Sequence, residues 1–86
     1  MRSKNILIVD DEIDIARNIK AILDDENYIT STAGNSDEAL KCLSNEDYDL
    51  IILDVWLDNS KLDGIDLLKN IRETNNIPVI IISGHG

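Results

Sequence analysis

Phenylalanine is absent from this 86-residue sequence, and the other large aromatics amount to one Trp and two Tyr. A core must therefore be aliphatic, and 43% hydrophobic residues supply enough of it for one domain. Cysteine occurs once, as Cys42, so no internal disulfide can form. That fits a reducing compartment, and a cytoplasmic location is expected. Basic residues are scarce, 8 against 17 acidic, for a formal net charge of −9. Such a surface repels nucleic-acid phosphates and anionic membranes, which argues against direct DNA binding by this segment. No apolar run approaches the roughly 20 residues of a membrane helix. The basic start Met1-Arg2-Ser3-Lys4 is followed only by Asn5 to Val9 before Asp10, too short for a signal-peptide core. No repeat, low-complexity tract or linker divides residues 1–86.

What is present is a regular alternation. Ile6-Leu7-Ile8-Val9 is a short apolar, β-branched run ending at Asp10, the pattern of a strand buried on both faces. From Asp11 the period changes: Ile15, Ile19, Ile22 and Leu23 mark a helical stripe, with Asp10 or Asp11 available as its N-cap. Tyr28 to Ala33 mixes polar and apolar β-formers, as an edge strand does. Gly34 breaks it. Asn35 or Ser36 then caps a second helix, with Glu38 placed to close a capping box on Asn35 and Ala39, Leu40 and Leu43 forming the apolar side. Cys42 beside that side reads as a small packing residue.

Leu50-Ile51-Ile52-Leu53 is a third strand, ending at Asp54. A polar loop runs to Asp63-Gly64, and a third helix follows with Ile65, Leu68 and Ile71 on its stripe and Leu67 beside them. After the Asn75-Asn76 turn signal and Pro78, Val79 to Ile82 form a fourth apolar strand, ending at Ser83-Gly84.

This βαβαβαβ series predicts an α/β fold with a parallel sheet and right-handed crossovers. The mixed second strand belongs at an edge and the apolar strands belong inside, which gives the order 2-1-3-4. That order puts a topological switch point between the first and third strands, where open α/β sheets bind ligands. The fourth strand, apolar on both faces, calls for a further neighbour. A continuation by helix, strand and helix, about 35–40 residues at usual element lengths, is expected.

Asp10, Asp11 and Asp54 each lie at or just past the C-terminal end of a central strand. Neighbouring strands stand about 5 Å apart, so these acids converge. One such Asp is more often a helix cap than a ligand; three from adjacent strands define a site. Their mutual repulsion is relieved by a divalent cation, and Mg²⁺ suits a few carboxylates, a carbonyl and retained waters. Ser83 and the Gly84 N–H, at the end of the next strand, are placed to face an anion on Asp54.

Asp10-Asp11, Asp54 and Ser83, at these positions in a βα repeat, resemble the motif set of response-regulator receiver domains across the whole chain. The resemblance implies a flavodoxin-like (CheY-like) fold whose fifth strand and last helices are missing here. It implies Asp54 as nucleophile and phosphoacceptor, Asp10 and Asp11 holding Mg²⁺ with the Trp56 carbonyl, and Ser83 and Gly84 binding phosphoryl oxygens. The family's phosphoryl-pairing Lys belongs to the fifth strand and has no counterpart in this chain. The loop Trp56 to Gly64 is longer than usual and lacks Pro. Together with Ile82-Ser83-Gly84-His85-Gly86 it is similar to the nitrogen-regulation subfamily, NtrX-like in particular. There a bacterial sensor histidine kinase is the donor, and an AAA+ ATPase with a DNA-binding helix-turn-helix is the output. The chain is thus expected to be a switch, no enzyme beyond its own phosphoryl transfer and hydrolysis.

Two other classes compete. Haloacid-dehalogenase-type phosphohydrolases also use an Asp after a strand, but want a second acid two residues on. Neither Val9-Asp10-Asp11-Glu12 nor Leu53-Asp54-Val55-Trp56 supplies that with the rest of the motif. A pseudo-receiver, binding without phosphorylation, is disfavoured by the complete acid set. His85 reads as a turn residue rather than a metal ligand. The open fourth strand predicts self-association. Light scattering at high micromolar concentration is expected to show a dimer or larger species, and a clean monomer would contradict it.

Overall fold

In the computed structural model, which describes residues 3–55, 64–74 and 76–82, apolar runs and amphipathic stretches alternate as the sequence predicts. Strands β1 (Asn5–Val9), β2 (Ile29–Ala33), β3 (Leu50–Asp54) and β4 (Val79–Ile82) alternate with helices α1 (Ile13–Asp25), α2 (Ser36–Asn45) and α3 (Gly64–Thr74). All strand pairs are parallel, in the order β2-β1-β3-β4. The expected α/β order is therefore observed. Among the described residues no helix is long and apolar enough to cross a membrane.

The central pair sets both layers. β1 and β3 pair from Ile6–Leu50 to Val9–Leu53. Successive side chains of a strand point to opposite faces. Leu7, Val9, Ile51 and Leu53 accordingly join Ala39, Leu67 and Ile71 in the larger cluster, under α2 and α3. Ile6 and Ile8 meet Ala16 of α1 on the other face, with Ile19, Leu23, Leu50 and Ile52 packed around them. The register is pinned at its start by Asp49, whose N–H donates to the Asn5 carbonyl at 2.7 Å and whose carboxylate accepts from the Asn5 N–H at 2.8 Å.

Helix ends follow local chemistry. Asn27 sits at a positive φ of 70°, a conformation Asn tolerates. Its N–H donates to the Asp24 carbonyl, and the Tyr28 N–H donates to that of Leu23, closing α1 as a Schellman motif. Asn35 caps α2, its Oδ1 accepting from the Glu38 N–H at 2.8 Å. Glu38 reaches back as expected, but to the Gly34 N–H and the Asn35 side-chain amide rather than the Asn35 backbone.

Three expectations are corrected. Neither Asp10 nor Asp11 caps α1: the N-cap is Glu12, without a side-chain cap. Ile22 is 64% exposed and Ile65 45% exposed, while Ala16 and Leu67 take the inward positions. Residue spacing defines a helical stripe, but the rotation of a helix about its axis is set by what it packs on, and a turn of 100° per residue separates Ile65 from its buried neighbours.

The two edges differ. On β2, the Lys20 ammonium donates to the Thr30 carbonyl and hydroxyl, and the hydroxyl donates to Asp24 at 2.7 Å. α1 thereby occupies edge groups otherwise open to pairing. On β4, Ile80 and Ile81, which face opposite sides of the sheet, are each about half exposed.

Replacing Ile51, fully buried in the larger core cluster, is expected to cost about 2–5 kcal/mol for Ile51→Ala. Ile22→Ala, at the exposed position, is expected to change stability by roughly 0.5 kcal/mol or less. Urea denaturation with matched slopes measures both; equal losses would mean that Ile22 is buried after all.

Candidate functional site

Strand parity and register build the site. Asp10 follows Ile8 by two residues, and Asp54 follows Ile52 by two, so both carboxylates leave the sheet on the α1 face. They stand one step past the paired Val9 and Leu53. The backbone holds this step in place. The Asp10 N–H donates to the Ala33 carbonyl at 3.0 Å, and the Val55 N–H donates to the Ile82 carbonyl at 3.3 Å, extending both ladders beyond the central strands.

Asp10 and Asp54 are almost wholly buried, and Asp11 is half-buried beside them. One carboxylate oxygen from each lies within 4.8 Å of the others. Asp10 uses Oδ1 to accept the Glu12 N–H at 2.8 Å. Its Oδ2 is buried and, among the described residues, has no hydrogen-bond partner. An unsatisfied carboxylate oxygen in such a place is costly unless a cation or proton reaches it. Burial pushes the Asp10 carboxyl above its ordinary range, and the charges of Asp54 and Asp11 push it further, against the Glu12 N–H, which favours the anion.

The convergence expected of Asp10, Asp11 and Asp54 is therefore observed. Trp56, Ser83, Gly84 and His85 lie outside the described residues. Sequence reasoning missed the Glu12 N–H, which donates to Asp10 and takes it out of the capping role; a carboxylate two residues before the N-cap was the one signal that could have found it. A groove between α1 and the β2–α2 connection, about 560 Å³, opens beside Asp10 and Asp11 and is lined also by Arg17 and Glu38.

A doubly wound parallel sheet with an acidic trio at its switch point is the architecture of a signalling receiver, and the chain belongs to the response regulator receiver domain family, whose pattern matches residues 6–86. Within that family it is similar to regulators of the NtrX type. It is 49% identical over 83 residues to the nitrogen assimilation regulatory protein NtrX of Azorhizobium caulinodans, covering 95% of this chain and 18% of that protein. It is 48% identical to a putative response regulator, NtrX-like, of Rickettsia bellii, over 95% of this chain and 17% of the other. The chain thus spans less than a fifth of the length of these relatives. The crystal structure of the NtrX receiver domain from Brucella abortus superposes with a TM-score of 0.90 at 45% identity, covering 94% of this chain and 68% of that one.

The raised Asp10 titration has a signed consequence for stability. Between the unfolded carboxyl's 3.8 and the higher folded value, the native state holds more protons than the unfolded state, so stability falls as pH rises through that window. Asp10→Asn keeps the acceptor for the Glu12 N–H and removes the charge. Without divalent cations it is expected to be more stable than the wild type at neutral pH, with the difference vanishing below 3.8. Urea denaturation in a chelator across that range measures this; a neutral-pH loss on substitution would contradict it.

Proposed function

We propose that Asp54 accepts a phosphoryl group from a sensor histidine kinase, with Mg²⁺ held by Asp10, Asp11 and Asp54, and that the modified chain switches an attached output module. The observation that carries this reading is the convergence of three carboxylates at the switch point, with a buried Asp10 oxygen lacking a partner among the described residues. The donor set fits: hard carboxylate oxygens close together, with an open groove beside Asp10 and Asp11, suit Mg²⁺, which is commonly held by one or two carboxylates and keeps several of its waters. The cation, when bound, neutralises charge that would otherwise oppose an anionic donor.

The chain's own residues do the rest. A carboxylate oxygen of Asp54 forms a bond to phosphorus as the phosphorus–nitrogen bond of the phosphohistidine breaks. The bonding pair returns to the imidazole nitrogen, and the product is an aspartyl phosphate. Asp10, fixed by the Glu12 N–H, holds its second oxygen towards the cluster. The family resemblance assigns the Trp56 carbonyl to the cation; it also assigns Ser83 and the Gly84 N–H to the phosphoryl oxygens, in keeping with their place after the fourth strand.

In this reading residues 1–86 form the N-terminal portion of a receiver. The output is transcriptional, through AAA+ ATPase and DNA-binding modules of the kind the family resemblance implies, and the setting is the bacterial cytoplasm. Self-association through β4 accompanies it, supported by the half-exposed Ile80 and Ile81. The module is no enzyme in its own right; its chemistry is confined to its own modification.

Titrating Mg²⁺ while following Trp56 emission tests the site. A saturable change is expected, with affinity lower by roughly tenfold or more in Asp54→Ala. A folded wild type that shows no response, or an equal response in the variant, would refute the assignment.

A further inference from the structure

Among the described residues, two glycines stand near the C-terminal ends of strands, and their surroundings differ sharply. A Cβ added to Gly34 would meet only the far end of the Glu38 side chain, at 3.7 and 3.9 Å, which is ordinary contact. A Cβ on Gly64 would stand 2.6 Å from the Asp54 carbonyl oxygen and 2.9 Å from the Val55 carbonyl carbon, and against the Val55 Cα. All three are backbone atoms, and they belong to the residue proposed as phosphoacceptor and the one after it.

Neither side of this contact is free to yield. Asp54 is the last residue of β3 and pairs with Ile82, and the Val55 N–H is held by the Ile82 carbonyl. On the other side, α3 begins at Gly64 and is anchored by Leu67 and Ile71, both essentially fully buried in the larger core cluster. The Gly64 N–H donates to the Val55 carbonyl at 3.2 Å, so the first turn of α3 is hydrogen-bonded onto the end of β3. Any side chain at position 64 must push the end of β3 or lift α3 from the core.

We propose that Gly64 is a positioning residue for the acidic site: having no side chain, it lets α3 seat against the backbone of Asp54 and Val55, and that seat sets where the Asp54 carboxylate points. This deepens the function proposed above and rests on it, since the group positioned is the proposed phosphoacceptor. The spacing of the three carboxylates is set by backbone placement within a few ångströms, and a support that fixes a ligand's orientation is commonly worth as much as a contact to the ion. Gly64 touches no reacting atom; it acts through Asp54.

The test compares Gly64→Ala with Leu67→Ala, which damages the same helix three residues on but within the core cluster. Two readouts are taken at matched folded fraction: Mg²⁺ affinity from Trp56 emission, and, without metal, the amide resonances and hydrogen exchange of Asp54 and Val55. Gly64→Ala is expected to lower Mg²⁺ affinity by about tenfold and to displace both resonances. Leu67→Ala, destabilised at least as much, is expected to keep the wild-type affinity and resonances. Wild-type affinity and resonances in Gly64→Ala would overturn the proposal, as would an equal affinity loss in Leu67→Ala. A wild type that binds no Mg²⁺ would sink the metal assignment alone. Positioning is then decided by the metal-free resonances, sustained if displaced only in Gly64→Ala and overturned if unmoved. Should Gly64→Ala not fold in buffer, all three chains are compared in trimethylamine N-oxide, which favours the compact state.

Discussion

β1 and β3 pair in parallel from Ile6–Leu50 to Val9–Leu53, and nearly everything else in the chain depends on that register. One set of alternating side chains supplies the core beneath α2 and α3; the other meets α1. The same alternation, carried one step further, delivers Asp10 and Asp54 to a common face. A slip by one residue would turn both apolar sets inside out and separate the carboxylates. Stability and site geometry are thus specified by a single set of hydrogen bonds, pinned at the opposite end by the double contact between Asp49 and Asn5.

Holding these acids together has a cost that the rest of the fold must offset. Asp10 is buried, its carboxyl is pushed upward by burial and by neighbouring charges, and one of its oxygens lacks a partner among the described residues. An aliphatic core on both faces of a small sheet offsets that penalty, about 25 cal/mol for each Å² of apolar surface buried. A cation bound among these carboxylates would reduce that cost and add to the stability of the folded chain. Family membership and the fold's likeness to NtrX receivers agree with a module built around such a cluster.

The edges of the sheet show how differently two strands of similar length are treated. β2 is mixed in composition, and Lys20, Thr30 and Asp24 tie its outer groups to α1. β4 is apolar, with Ile80 and Ile81 half exposed on opposite faces. A strand of that composition has chemistry suited to cover on both sides.

Element type, strand order and the candidate acids were legible in the amino-acid sequence because each depends on a local pattern. Apolar β-branched runs make strands, a change of period makes helices, and an Asp at the end of a run marks the C-terminal edge of a parallel sheet. Asn35 as a cap was equally local. Tertiary structure decided the rest. It exposed Ile22 and Ile65 and buried Ala16 and Leu67, because packing sets how far a helix rotates. It directed Asp10 to the Glu12 N–H instead of a helix cap. It brought three carboxylates within 4.8 Å, a distance fixed by register and not by spacing along the chain. It also pressed Gly64 against the backbone of Asp54, a contact between residues ten positions apart that no periodicity records, because it arises only when α3 docks on the sheet.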